Sequence, residues 1–340
     1  QLATGCVPTY ADSVVFDDNS FTAVGEIVNT VSLQAKCRSI TNIDSGNEGV
    51  FNGFISIGGN VDFTGASAVN SIELVGKGNH TITSGGNFAY SGNIVINAEG
   101  NYTLLDSVLS NSNFYHSSGG LDFNDNNVDV VYFNSNSSVG LRTLDISNAT
   151  LRTNSGLYLG AGRLTMLNST NSIIIVRNPN GVATFRGGAA PNLSNLQLND
   201  IYFTATTGAG NIYTDNPTVA FNDVYFSSHG VAGYKQYNAN TLNLTAGKIY
   251  TFAQNFTYTI LSGINTTITT CNDLATIKSS GSNQARIYKA ALPFTTDGLI
   301  VQGINATGAT LTVNNGVNLG NNTNVTISPG IGRDMYWVND

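Results

Sequence analysis

The chain has 340 residues, a formal net charge of −7, and 10% charged residues against 41% hydrophobic ones. That acidic balance argues against a nucleic-acid binder, which depends on clustered Lys and Arg. No apolar run approaches the roughly 20 residues of a membrane-spanning helix. Charged, helix-favouring stretches are missing, so the expected class is all-β.

Short Val, Ile, Thr, Phe and Tyr runs between Gly, Asn and Ser turns set the detailed expectation. It is a right-handed parallel β-helix (β-solenoid) with coils of about 20–27 residues and an irregular N-terminal cap. Residues 1–50 read as that cap or a first irregular coil, with a strand at Ser13–Phe16 and another within 21–31. A solenoid needs its ends covered, because an open terminal coil is a bare sheet edge. Cys6 and Cys37 lie in this part, and a disulfide between them would close the first coil in an oxidising, extracellular setting. Cys271, between Thr270 and Asn272, reads as a buried small apolar residue.

From 51 to 330 the β-helix proper is expected. Strand-like runs at 54–57, 71–75, 93–97, 128–133, 141–146 and 172–176 come with Gly-containing turns between them. The organising phrase is Leu198-Asn199-Asp200-Ile201-Tyr202-Phe203, answered by Phe221-Asn222-Asp223-Val224-Tyr225-Phe226. An offset of roughly 23 residues lies in the range of stacked supersecondary units. With coils about 4.8 Å apart, Leu198 stacks under Phe221, Ile201 under Val224, and Phe203 under Phe226 as interior columns. Asn199 and Asn222 form a turn ladder at a corner, where Asn tolerates left-handed backbone.

Residues 186–191 read as a loop leaving the solenoid, and His229 to Asn240 as a longer polar loop carrying Lys235. Contacts with a partner are expected around Ala189 and along that second loop. Strands resume at 242–244 and run through 248–252, 258–261, 286–288, 299–301 and 310–313 to 324–327. Residues 331–340 read as the start of a linker or of a following unit.

Chemistry is sparse in this pattern. His80, His116 and His229 are scattered and read as surface loop residues. Asp122, Asn124 and Asn126 place oxygen ligands at alternate positions like a calcium loop, the one cofactor candidate. The sixth-position Gly and twelfth-position Glu of such a loop are absent. No catalytic residue, cofactor-binding residue or other metal ligand is assigned. Thr-x-Thr pairs such as Thr81 and Thr83, or Thr310 and Thr312, raise ice binding. Their spacing is irregular, and Thr is a good strand residue in any case.

Several phrases taken together resemble a known family. The run from Pro8 to Phe21 (PTYADSVVFDDNSF) resembles the opening of a unit repeated in very large secreted Bacteroidota surface proteins. Leu244 to Phe252 (LTAGKIYTF) resembles its late coils, as does Ile304 to Gly308 leading to Val317 to Asn322. Tyr336 to Asp340 resembles the lead-in to a following unit. The best-known members are SprB-type gliding-motility adhesins exported by the type IX secretion system.

The resemblance implies a non-catalytic structural or adhesive segment of a giant cell-surface protein, working in surface adhesion and gliding motility. Its implied partners are surface or environmental glycans, neighbouring repeats of the same chain, and the secretion and motility machinery. It carries no catalytic motif. The alternative is a carbohydrate-active β-helix enzyme, a polysaccharide lyase or hydrolase, which would need an acidic cluster with Arg or Lys in one groove. An ice-binding protein is the third reading.

Overall fold

Alternation of apolar and polar residues decides the strands. Along Ile94–Leu104 the residues change between buried and open at nearly every step, because a strand of period two turns successive side chains to opposite faces. In the computed structural model the described residues are 8–30, 35–43, 49–85, 92–160, 163–179, 181–187, 196–205, 208–214, 219–267 and 273–328. No helix occurs among them. The strands pair in parallel with strands about one coil further along the chain. The fold is an all-β parallel solenoid.

The chain divides into two compact units, Gln1–Arg177 with Arg186–Asn199, and Asn178–Phe185 with Asp200–Asp340. In the first, Ile55, Ile72, Ile94, Phe114, Phe133 and Leu157 follow one another in register, all buried. The ladder already runs through the segment expected as a cap. Ser13–Phe16 pairs with Ser39–Asn42, and Ala35–Cys37 with residues of Gly49–Ile57. Residues 331–340 lie outside the described residues.

Corners in this unit are built from Asx turns. Asp122, Asp145 and Asn168 stack in register. Each accepts the backbone N–H two residues on, at 2.8 Å from Asn124, 2.9 Å from Ser147 and 3.0 Å from Thr170. Asp125, Asn148 and Asn171 then take left-handed φ values of 61°, 52° and 55°, which Asn and Asp tolerate best after Gly. Asn148 Nδ2 donates to Asp125 Oδ1, and Asn171 Nδ2 to Asn148 Oδ1, both at 3.0 Å.

The second unit shows how register and side-chain size are matched. Ile201 pairs with Val224, which pairs with Leu242 and that with Ile264. Phe203 pairs with Phe226, their rings 4.8 Å apart and within 12° of parallel. Gly210 and Gly230 are in register beside them. A Cβ on Gly210 would stand 2.6 Å from Phe203 Cβ, and one on Gly230 3.1 Å from Phe226 Cδ1. The glycines vacate the volume that the rings fill. A separate three-stranded parallel sheet, Phe294–Asp297 with Leu311–Asn314 and Val325–Ser328, lines the C-terminal coils.

Three expectations need correcting. The left-handed corner at Asn199 and Asn222 is absent, since neither has positive φ. Asn199 Nδ2 donates to the Ser172 carbonyl and Asn222 Nδ2 to Asp200 Oδ1. The strand Ala220–Phe226 runs straight through Asn222, so this side chain stands on the outer face of a strand. The polar loop from His229 to Asn240 is instead largely strand, Gly230–Gly233 and the start of Asn238–Thr245. Its glycines admit aromatic rings, with a Cβ on Gly233 only 2.1 Å from Tyr258 Cε1. Arg186 belongs to the strand Ala183–Gly187 rather than to a loop; Ala189 and Pro191 lie outside the described residues.

Gly210→Val is expected to destabilise the fold by about 1–3 kcal/mol through overpacking, and Phe226→Ala by about 3–5 kcal/mol. A urea titration of each variant checks this, and a G210V midpoint equal to that of the native chain would show that the ring stack does not need the glycine.

Candidate functional site: outward tyrosines and arginines

One interior column breaks the apolar rule. Cys37, Ile57, Leu74 and Ile96 succeed one another in register, and the next place is taken by His116. His116 is 0% exposed, so the surface-loop reading of this residue is wrong. Its Nε2 lies 2.9 Å from the Gly119 carbonyl and its Nδ1 3.2 Å from Ser135 Oγ. This pattern suits the neutral tautomer, with Nε2–H donating and Nδ1 accepting. Arg142, 1% exposed, donates Nη1 to Ser135 Oγ at 3.4 Å. Its Nη2 donates to the Ser137 and Gly160 carbonyls at 2.7 and 2.8 Å. Burial lowers the His116 pKa to about 4, with the Arg142 cation adding to the effect. Burial also brings Arg142 down to about 10. Ser135 is itself 0% exposed, so the Ser–His contact sits inside the core and works as packing.

The other histidines serve the backbone. His80 Nε2 lies 3.1 Å from the Lys77 carbonyl, within the strand Asn79–Thr83, and His229 Nδ1 accepts the Ile249 N–H at 3.0 Å. Asp122, Asn124 and Asn126 build a corner. Asp122 Oδ1 holds the Asn124 N–H, while Asn124 Nδ2 and Asn126 Nδ2 both donate to the Leu104 carbonyl at 3.1 Å. Among the described residues no group of three His, Cys, Asp or Glu could hold a metal ion. The Cys6–Cys37 bridge rests on Cys6, which lies outside the described residues, as does Cys271. Cys37 is a buried free cysteine whose thiol pKa is raised by burial to about 11.

Of the expected interior residues, Ile201, Val224, Phe203 and Phe226 come together as two paired columns, while Leu198 and Phe221 are each 4% exposed. Outside these columns stand tyrosines. Tyr202 and Tyr225 stack at 4.2 Å, within 1° of parallel, and Tyr213 and Tyr234 at 3.7 Å. In the first unit Tyr132 meets Tyr158 edge-on at 4.8 Å, with Tyr115 at 6.5 Å. Tyr225 Oη donates to Asp223 Oδ2 at 3.3 Å, and Asp200 Oδ1 accepts from Asn222 Nδ2. Burial, then the neighbouring Tyr202 and the Asp223 and Asp200 carboxylates, hold the Tyr225 hydroxyl above its ordinary range. The Tyr225 phenol therefore stays a neutral donor. Also outward is the pair Arg177 Nη2 with Asp129, 2.7 and 2.8 Å from its two oxygens.

These outward tyrosines were not picked out from the sequence, although a signal was there. The dipeptide Tyr-Phe recurs at 132–133, 202–203 and 225–226, and its Phe is buried each time. Period two then forces the preceding Tyr outward. Half-buried phenols flanked by amides and guanidinium groups can lie against polyhydroxylated or planar matter through ring faces and hydrogen bonds.

The folded His116 holds its proton less well than its unfolded counterpart. The stability this neutral ring lends is full above about pH 6.5 and is lost as pH falls towards 4, up to about 3 kcal/mol. His116→Gln should flatten that part of the profile, which urea midpoints at pH 7 and pH 4.5 for both proteins will show.

Among the described residues no helix is long and apolar enough to cross a membrane. Compared with protein-family models, curated proteins and solved structures, the chain matches none.

Proposed function

We propose that this chain is a non-catalytic, structural and adhesive segment of a larger secreted protein, displayed at the cell surface, whose outward side chains meet a glycan or other surface. The observation that carries the reading is the set of tyrosines held outside the solenoid in register with the columns inside it. A ring fixed by its stacked neighbour loses little conformational freedom on contact, which favours binding. The parallel ladder supports the structural half: each coil is tied to the next by backbone hydrogen bonds and by side-chain columns.

The phrases near both ends that resemble Bacteroidota repeat units extend the proposal. On that reading the chain is exported by the type IX secretion system, joins neighbouring repeats, and acts in adhesion and gliding motility. The carbohydrate-active enzyme is the rival, and the same experiment separates the two.

Purified chain is flowed over glycan-coated and bare surfaces and its retention compared with Tyr132→Ser and Tyr225→Ser. Each lost ring is worth about 0.5–1.5 kcal/mol, so retention should weaken roughly two- to tenfold per tyrosine. Unchanged retention in folded variants counts against the reading. Release of new sugar ends from a polysaccharide by the purified chain would replace it with the enzyme.

A further inference from the structure

Charge in this chain is unevenly placed. From Arg142 to Arg186 the sequence holds five arginines and a single acid, Asp145, a formal +4 within a chain of −7. Arg142 is spent inside the core, and Arg163 is bonded to the Val139 carbonyl at 2.9 Å. Arg152, Arg177 and Arg186 stand on the outside of their strands or strand ends. Arg152 alternates with buried Leu151 and Thr153 and therefore faces outward. It pairs in register with Asp129 on one side and Ile175 on the other, and it makes no side-chain hydrogen bond or ion pair among the described residues. Arg177 reaches back to Asp129 with Nη2, yet its Nε has no hydrogen-bond partner. Arg186 is exposed, and its guanidinium lies near enough to the Tyr132 hydroxyl to act on it. Tyr132 shares a strand with Asp129, and Tyr158 shares the adjacent strand with Arg152.

Three features of this surface favour one kind of ligand. All its cations are arginines, whose planar fork matches carboxylate and sulfate oxygens in pairs. They recur on neighbouring coils about 4.8 Å apart, a row suited to a polymer that repeats its own charge. Tyrosine rings lie beside them and offer faces to sugar rings. We propose that the outer surface around Arg152, Arg177, Arg186 and Tyr132 binds an anionic polysaccharide bearing carboxylate or sulfate groups on successive sugars. The proposal deepens the adhesive reading above and rests on it. Nucleic acid, whose binding rests on neutralising many closely spaced phosphates, is the less suited polyanion for three arginines.

The test is equilibrium binding of the full chain to polygalacturonate, heparin, neutral dextran and single-stranded DNA, at low salt and at 0.3 M NaCl. Binding to polygalacturonate or heparin is expected, weakening with salt and falling at least tenfold in the Arg152→Gln, Arg186→Gln double variant. The stronger of the two polymers identifies the acidic group. Asp129→Asn should tighten binding several-fold by releasing Arg177 from a competing carboxylate, an effect that a purely structural ion pair would not give. Circular dichroism confirms that each variant is folded. Unchanged binding in the double variant, or a preference for DNA, overturns the proposal. Retention on neutral dextran or on bare surfaces without affinity for acidic polymers overturns it and leaves the adhesive reading standing. Retention on nothing overturns both.

Discussion

In-register parallel pairing is the constraint from which the rest of this molecule follows. Once Phe203 lies beside Phe226 and Ile201 beside Val224, each position of a coil acquires a fixed neighbour one coil away. A side chain then answers to that neighbour more than to its own flanking sequence. Large rings are accommodated because glycines face them, and Gly210 and Gly230 stand in register where any Cβ would collide with Phe203 or Phe226. Packing at close to crystal density leaves no slack to absorb a mismatch. Volume is therefore conserved between neighbouring columns rather than along the chain.

The same constraint governs polar side chains. The turn at Asp122, Asp145 and Asn168 is repeated coil upon coil, so the left-handed residues Asp125, Asn148 and Asn171 stack and their amides bond to one another. A left-handed non-glycine residue is costly by itself, and the ladder offsets that cost by giving the amide groups fixed partners. Asn243 and Asn265 repeat the device on a strand face, with Asn265 Nδ2 3.0 Å from Asn243 Oδ1. Neutral amides stack without the repulsion that like charges would meet in adjacent coils.

Much of the fold was legible because a repeated phrase states its own register. The pairing of 201–203 with 224–226 can be read by laying one phrase over the other. What was illegible depended on partners that the coil register, and not the local residue pattern, brings together. His116 reads as a surface residue because an isolated buried polar group is expensive, and nothing near it in the chain shows that Ser135 and the Gly119 carbonyl satisfy both ring nitrogens. Arg142 is hidden in the same way by the carbonyls of Ser137 and Gly160. The segment from His229 to Asn240 was misread because its glycines look like turn residues, whereas Gly230 and Gly233 are strand positions kept small for Phe226 and Tyr258. Asn199 and Asn222 failed as corner residues since the true corners use Asp-x-x-Asx spacing, visible at 122–125 and 145–148 only once the coils are aligned.

Departures from regular pairing matter as much as the pairing. By strict period two, Asp129 and Tyr132 should face opposite sides of their strand. The pairing of Val128–Ser135 with Thr150–Leu159 slips between Val130 and Tyr132, and that irregularity resets the alternation. Asp129 and Tyr132 both end outward while Val128, Val130 and Phe133 stay buried. On the neighbouring strand Arg152 and Tyr158, six residues apart, stand outside and Thr153 and Leu157 inside, in phase with period two. Bulges of this kind re-aim side chains without breaking a ladder. Here the slip is what sets the Asp129 carboxylate and the Tyr132 phenol on the same outer face, beside Arg152 and Tyr158 of the next strand. Val131 is the extra residue: with it removed, uniform alternation would still leave Asp129 and Tyr132 outward and Val128, Val130 and Phe133 inside. The chemistry of this surface is thus fixed by backbone register before any side chain is chosen.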